Sequence, residues 1–411
     1  MWFNKLYHPI KNTSYVLTLV FLVNCSKKDV FESGEQIIIT PMAECINGFA
    51  GEYPCNDYDL LTHISLEEIG AEKGNDCWGW TDPETLKEYA LMCTNSGVTF
   101  VDITDPAKSI ILGTLKTKTE NSPWRDIKVY NSIAYIVSEA PNHGMQLFNL
   151  IGLRNVVNPP IEFTEDAFYG EFGNAHNLVI NEDTGYAYAV GTSTFDGGPH
   201  FVDLNSPFNP IPAGGFAEGT YSHDAQVVTY NGPDTDYTNR EILIGSNETE
   251  IVIVDVTDKE NPTAISSVTY PNIGYSHQGW FTEDFRYFLL GDELDEQNFG
   301  GNTRTIIFDL TDLDNPTFHF DYFGETEAID HNGYVKGDLF FQASYTNGVR
   351  IIDISQIRSK SFTEVGFFDT HPENNSTLFD GAWNVYPFFP SGNIIVSDID
   401  RGLFVIRKSK S

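Results

Sequence analysis

The stretch "EIVIVDVTDKENP", residues 250–262, constrains this chain more than any other. Its first half is almost entirely β-branched and its second half is a polar turn closing on proline, so it reads as a strand running into a loop. The chain rewrites it six more times: "GVTFVDITDPAK" (97–108), "GMQLFNLIGLRN" (144–155), "PHFVDLNSPFNP" (199–210), "RTIIFDLTDLDNP" (304–316), "GVRIIDISQIRS" (348–359) and "GLFVIRKS" (402–409). Aligned on the end of the strand, the copies place Asp102, Asn149, Asp203, Asp255, Asp309, Asp353 and Arg407 in one column, at spacings of 47, 54, 52, 54, 44 and 54 residues. A period of this length with strand chemistry indicates a β-propeller, four strands to a blade. The expected fold is all-β, with seven blades.

The rest of each period agrees. Upstream of the repeat lies a hairpin, as in "HNLVINEDTGYAYAVG" (176–191) and "HQGWFTEDFRYFLLGD" (277–292). Downstream lies a fourth short strand, such as "SIILGTL" (109–115) or "FTEVGFFD" (362–369). The recurrent Asp is expected to accept backbone N–H groups of the turn that follows. Blade seven lacks a fourth strand of its own after 402–409. "YDLLTHISL" (58–66) has the pattern to supply it and so close the ring, which would remove an exposed sheet edge. No helix-period segment of useful length is present, so residues 75–411 are expected to form the propeller, preceded by a loop and closing strand over 41–74.

The N-terminus reads as a targeting segment. Lys5 and Lys11 precede the uncharged run "SYVLTLVFLVN" and then Cys25. The run is short for a bilayer span and suits a signal peptide over residues 1–24. "LVNC" resembles a lipobox, in which cleavage leaves a lipid-bearing Cys, although Asn24 stands where a small residue is usual. Residues 25–40 then form a polar tether. This places the protein outside the cytoplasm, lipid-anchored in a bacterial envelope, at the outer membrane or cell surface. Formal charge is −34, and loss of the two N-terminal lysines makes it −34 − 2 = −36. Such a charge argues against nucleic acid or an anionic membrane face as the main partner while leaving cations admissible, and since no other segment is apolar enough to cross a membrane, the lipid is the expected membrane contact. A monomer is expected, with a protein, glycan or small molecule as partner. Export also suits two local disulfides, with Cys45 and Cys55 bracketing one loop and Cys77 and Cys93 flanking the turn "TDPETLKE".

Several segments together, among them "CINGFAGEYPCNDYDLL", "WGWTDPETLKEYAL", "AHNLVIN", "HDAQVV", "IVIVDVTD", "HQGW", "GDELDEQN", "DHNGYVKG" and "DGAWNVYP", resemble the choice-of-anchor B family, whose members are built on LVIVD-type repeats. The resemblance runs from about Met42 to Arg407. It implies an extracytoplasmic propeller carried on varied anchors, and it implies no particular reaction.

Chemistry is concentrated where the first strand of each blade begins. Aligned, these starts read Asp76, Arg125, His176, His223, His277, His331 and Gly381, followed by Cys77, Asp126, Asn177, Asp224, Gln278, Asn332 and Ala382. Four of the ten histidines hold one position in four consecutive blades. The first strand of a propeller blade is innermost, so these starts rim the central channel. The ends of the second strands return to the same face, carrying Glu139, Glu248 and the acidic "GDELDEQN" with Asp292, Glu293, Asp295 and Glu296. Converging imidazoles backed by carboxylates suit a transition metal (zinc, copper, iron, nickel or manganese). Arg125 in the same ring suits an anionic ligand. The alternative is that each His fastens its blade to the next by hydrogen bonding, with no ligand. "DELDEQN" is a candidate calcium loop without EF-hand spacing, and "GPDTDY" (232–237) shares that ambiguity. Trp78, Trp80, Trp124, Trp280 and Trp383 sit near the first strands, as inter-blade packing or as pocket lining. No G-x-S-x-G, H-E-x-x-H, Walker A or G-x-G-x-x-G motif occurs. The pattern therefore favours a binding module that uses one propeller face, with a metal-dependent enzyme or a purely structural envelope protein as alternatives.

Overall fold

The computed structural model describes residues 41–219 and 221–410. The expected signal peptide, Cys25 and the expected polar tether lie outside the described residues. Seven four-stranded antiparallel blades are arranged as a β-propeller, and Ile161–Phe163 adds a parallel strand to the outer edge of blade one. Their inner strands are Gly74–Thr81, Arg125–Tyr130, Asn177–Asn181, Asp224–Thr229, Ser276–Phe281, Gly333–Lys336 and Ala382–Tyr386, in blades one to seven. Fourth strands fall where the pattern places them, at Ile110–Lys116 and Thr363–Phe368.

The third strands show why the repeat is apolar at every position. Ile251 and Ile253 of Ile251–Asp255 pack into the core shared with blade five, while Val252 and Val254 pack into the core shared with blade three. Both faces of the strand are covered, so alternation gives way to a continuous hydrophobic run. The column that ends these strands caps the next turn in six blades. Asp102, Asn149, Asp203, Asp255, Asp309 and Asp353 each accept the backbone N–H two residues on, at 2.8–3.1 Å. Arg407 breaks the pattern and donates to Asn393 Oδ1.

The ring closes through Tyr58–Ile64, which pairs antiparallel with Gly402–Lys408 as the fourth strand of blade seven. Just before it, a hairpin (Phe49–Ala50 and Tyr53–Asn56) adds to the outer edge of blade six. The Cys45–Cys55 disulfide ties this hairpin to its lead-in segment.

The second expected disulfide is not formed, and Cys77 and Cys93 are buried free thiols. A register shift between Gly74 and Cys77 sets Cys77 opposite Met92 rather than Cys93. Adjacent positions on a strand face opposite sides of the sheet. Cys93 therefore sits in the core between blades one and two, and Cys77 in the core between blades one and seven. Burial pushes both thiols above their usual range.

Candidate functional site: an arc of imidazoles at one mouth of the channel

The structure brings His176, His223, His277 and His331 together. Successive ring centroids lie 4.1, 4.3 and 4.4 Å apart, each ring tilted by 42–45° from the next. The arc ends on Trp383, 4.7 Å beyond His331. Two sequence alignments at this rim shift in the structure. In blade seven a register shift between Ala382 and Asn384 bulges Trp383 into the ring position, and Gly381 precedes it in a left-handed turn (φ 93°). In blade one the same kind of shift places Asn75 in the ring, where its Oδ1 accepts from the Arg125 N–H at 2.8 Å, and moves Asp76 to the next layer down. A bulge adds one residue to one strand, so an ungapped alignment misses it.

Hydrogen bonding sets the tautomers. The Nδ1–H of His331 donates to the Trp383 carbonyl at 2.6 Å, and that of His223 to the His277 carbonyl at 3.3 Å. His277 Nδ1 has no hydrogen-bond partner among the described residues. His176 departs from the pattern, its Nδ1–H donating to Glu139 Oε1 at 2.6 Å. Part of the blade-fastening reading is therefore present, since two histidines bridge to the next blade. Those bridges use Nδ1 and leave Nε2 with its lone pair. Burial, reinforced by the neighbouring imidazoles, pushes His277 and His331 down to about 3 and His223 well below its ordinary value. His223, His277 and His331 are thus neutral at physiological pH, the form that ligates metals.

Glu293 completes the geometry. Its carboxylate oxygens lie 3.7 Å from His277 Nε2 and 3.6 Å from His331 Nε2. These separations are long for hydrogen bonds. They suit two ligands of one ion, because atoms about 2.1 Å from a tetrahedral metal lie about 3.4 Å apart. The three groups offer ligand atoms all within 4.8 Å of one another. The Tyr345 hydroxyl donates to Glu293 Oε1 at 2.6 Å and holds the carboxylate in place. Beside this cluster is an open pocket of about 210 Å³, lined by Trp124, Glu139, His176, Tyr221, His223 and Tyr275. Glu248 lies on the same rim, where its charge helps burial raise the Tyr275 and Tyr221 phenols.

Other expected site residues lie elsewhere. Arg125 is not free for an anion. Its guanidinium turns away from the rim, donating to the Thr94 carbonyl, Thr117 Oγ1 and His143 Nε2, and it is 2 % exposed. Asp76, Asp126 and Asp224 lie one layer down the channel, in the ring completed by Asn177, Gln278, Asn332 and Asn384. "DELDEQN" does not form a calcium loop. Asp292 accepts from the N–H groups of Gly274, Tyr275 and Leu294, Asp295 pairs with Arg304, and Glu296 accepts from the Arg304 N–H. In "GPDTDY", Asp234 faces Asp312 and Asp314, which the sequence reading did not connect with it. Tyr345 was also missed, being contributed by the loop after a second strand with no motif, and Trp383, expected near the first strand, reaches the ring position only through the bulge.

Against known proteins, the likeness is one of fold. No family model matches the chain, and no curated protein does. Among solved structures, a protein from Lactobacillus plantarum superposes with a TM-score of 0.53 at 13 % identity, over 79 % of this chain and 88 % of its own. Kuenenia stuttgartiensis hydrazine synthase superposes with a TM-score of 0.55 at 11 % identity, over 79 % of this chain and 93 % of its own.

Proposed function

We propose that this protein is an envelope-anchored, extracytoplasmic propeller of the choice-of-anchor B type, acting as a binding module through one face, and that the rim arc takes a transition-metal ion. The observation that carries the metal reading is the placement of His277 Nε2, His331 Nε2 and Glu293 at the spacing of ligands to one ion. A propeller is a common binding scaffold, and the fold by itself implies no reaction. Two imidazoles and one carboxylate suit zinc or iron(II), with positions left open towards the pocket. His176 and Glu139 face that pocket as a hydrogen-bonded pair, which is the observation favouring a metal-dependent reaction as the second reading.

The test is elemental analysis and metal titration of the wild type against Glu293→Gln and His277→Ala. About one transition metal per chain is expected, falling by at least about 100-fold in affinity when a ligand is removed. Because His277 and His331 are pushed down to about 3, the wild type is expected to hold its metal at pH 5, where an ordinary histidine (about 6.5) is protonated. A protein that takes up none of zinc, iron, copper, nickel or manganese would leave the arc as a blade fastener. The anchor has its own test: Cys25→Ala should release the protein from membranes, and retention of the variant would refute lipidation.

A further inference from the structure

We infer that the opposite mouth of the channel is a second, independent binding site, for a small ring-bearing apolar molecule with an oxygen acceptor. The inner strands carry the argument. Three residues beyond each rim position lie Trp78, Lys128, Val179, Gln226, Trp280, Tyr334 and Tyr386, about 10 Å along the strand. Six of these, all but Tyr334, line a cavity of about 310 Å³, together with Phe388, Ile180 and Glu182. That volume is at the small end of the roughly 300–1,000 Å³ typical of ligand pockets. The walls divide by chemistry. Blades one, five and seven supply the aromatic rings, and blades two, three and four supply Val129, Val179, Ile180 and Val227. Tyr334 lies beneath, touching Trp78 at 5.8 Å and Trp280 at 4.9 Å between ring centroids, and backs the two indoles.

Two polar side chains at the cavity are donors. The Gln226 Oε1 accepts from the Phe281 N–H at 2.8 Å, which fixes the orientation of its amide. Its NH₂ group therefore faces the other way, and it has no hydrogen-bond partner among the described residues although Gln226 is only 8 % exposed. Gln226 lines the cavity, so the amide opens onto it, and an oxygen acceptor bound there would pair with it. The Lys128 ammonium is the second donor. Two of its protons are directed at Asp126 and Asp76, and the third has only the Trp78 face, with Nζ 4.6 Å from the ring. Donors from Gln226 and Lys128 and flat apolar walls select a ring carrying a carbonyl or carboxylate oxygen, with the Glu182 carboxyl on the same lining weighing against the charged form. The site is separate from the imidazole arc and does not depend on a metal there.

Calorimetric titration of the wild type with benzamide, benzoate and toluene tests the inference, because the three share a ring and differ in the acceptor. At least one oxygen-bearing probe should bind about tenfold or more tighter than toluene, which corresponds to one satisfied hydrogen bond. Which of the two does so shows whether the acceptor is charged. Val179→Phe, which fills the cavity, should weaken that probe at least tenfold without changing metal content. Toluene binding as tightly as both others, or no binding of any probe at millimolar concentration, would overturn the proposal on the wild type alone. Unchanged affinity in a folded Val179→Phe protein would overturn it as well.

Discussion

Deleting residues 41–66 is expected to leave a chain that no longer unfolds in one cooperative step. The strand Tyr58–Ile64 packs into two cores at once. Leu60 joins Phe368, Phe404 and Ile406 between blades six and seven, whereas Leu61 and Ile64 join Leu403, Val405 and Cys77 between blades seven and one. Leu60 and Leu61 are each 3 % exposed. Without the strand, Gly402–Lys408 becomes a long apolar sheet edge with unpaired backbone groups, which invites intermolecular pairing. Single substitutions report the same contact more gently, and Leu60→Ala or Leu61→Ala should each cost about 2–5 kcal/mol in urea unfolding. If the deletion variant were monomeric with an unchanged midpoint and denaturant slope, the ring would not depend on this strand.

Lys128→Met is expected to cost about 3–5 kcal/mol, since it strips the cation from a buried ion pair. The ammonium lies 2.5 Å from Asp126 Oδ1 and 3.4 Å from Asp76 Oδ2, between side chains that are 2 % and 4 % exposed. Burial pushes both carboxyls up. In Asp126, Lys128 and neighbouring hydrogen bonds, including the Leu178 N–H, overcome that and hold it below its usual range; Asp76 stays well above its own. Asp126 is therefore the member held towards its charged form by Lys128, and Asp76 the member that burial pushes towards protonation. Replacing lysine by a methionine of similar length keeps the packing against Trp78 and leaves Asp126 charged and unneutralised. Lys128→Met/Asp126→Asn should recover at least half of the loss, because the variant no longer buries a lone charge. A single-variant cost below about 1 kcal/mol would show that solvent already reaches the pair.

Much of this was legible in the residues. The seven β-branched strands, their terminal Asp column and the closing segment 58–66 all depend on local chemistry that repeats, and each appears in the structure where the repeat places it. The histidine column was legible for the same reason. What escaped was whatever depends on register. Cys77 and Cys93 look symmetrical about a turn, yet one irregularity in the hairpin sends them to opposite faces. Trp383 displaced Gly381 through a similar bulge. Arg125 occupies the expected backbone position, but its long side chain finds Thr94, Thr117 and His143 instead of the channel, a choice made by neighbours that are distant in sequence.

The amino-acid sequence by itself determined the architecture, because a propeller is one local solution written seven times and each copy carries its own hydrophobic pattern and turn. It also determined that four imidazoles share a rim, since equivalent positions in equivalent blades must meet around the axis. Only the tertiary structure decided which atoms face which. The lone pairs of His277 and His331 converge on Glu293 because Nδ1 of His331 is engaged by the Trp383 carbonyl and Tyr345 holds the carboxylate. The free amide of Gln226 is exposed to a cavity because Phe281, 55 residues away, takes its oxygen. Such contacts join residues from different blades, and their separation of ångströms rather than residues is why no local pattern contains them.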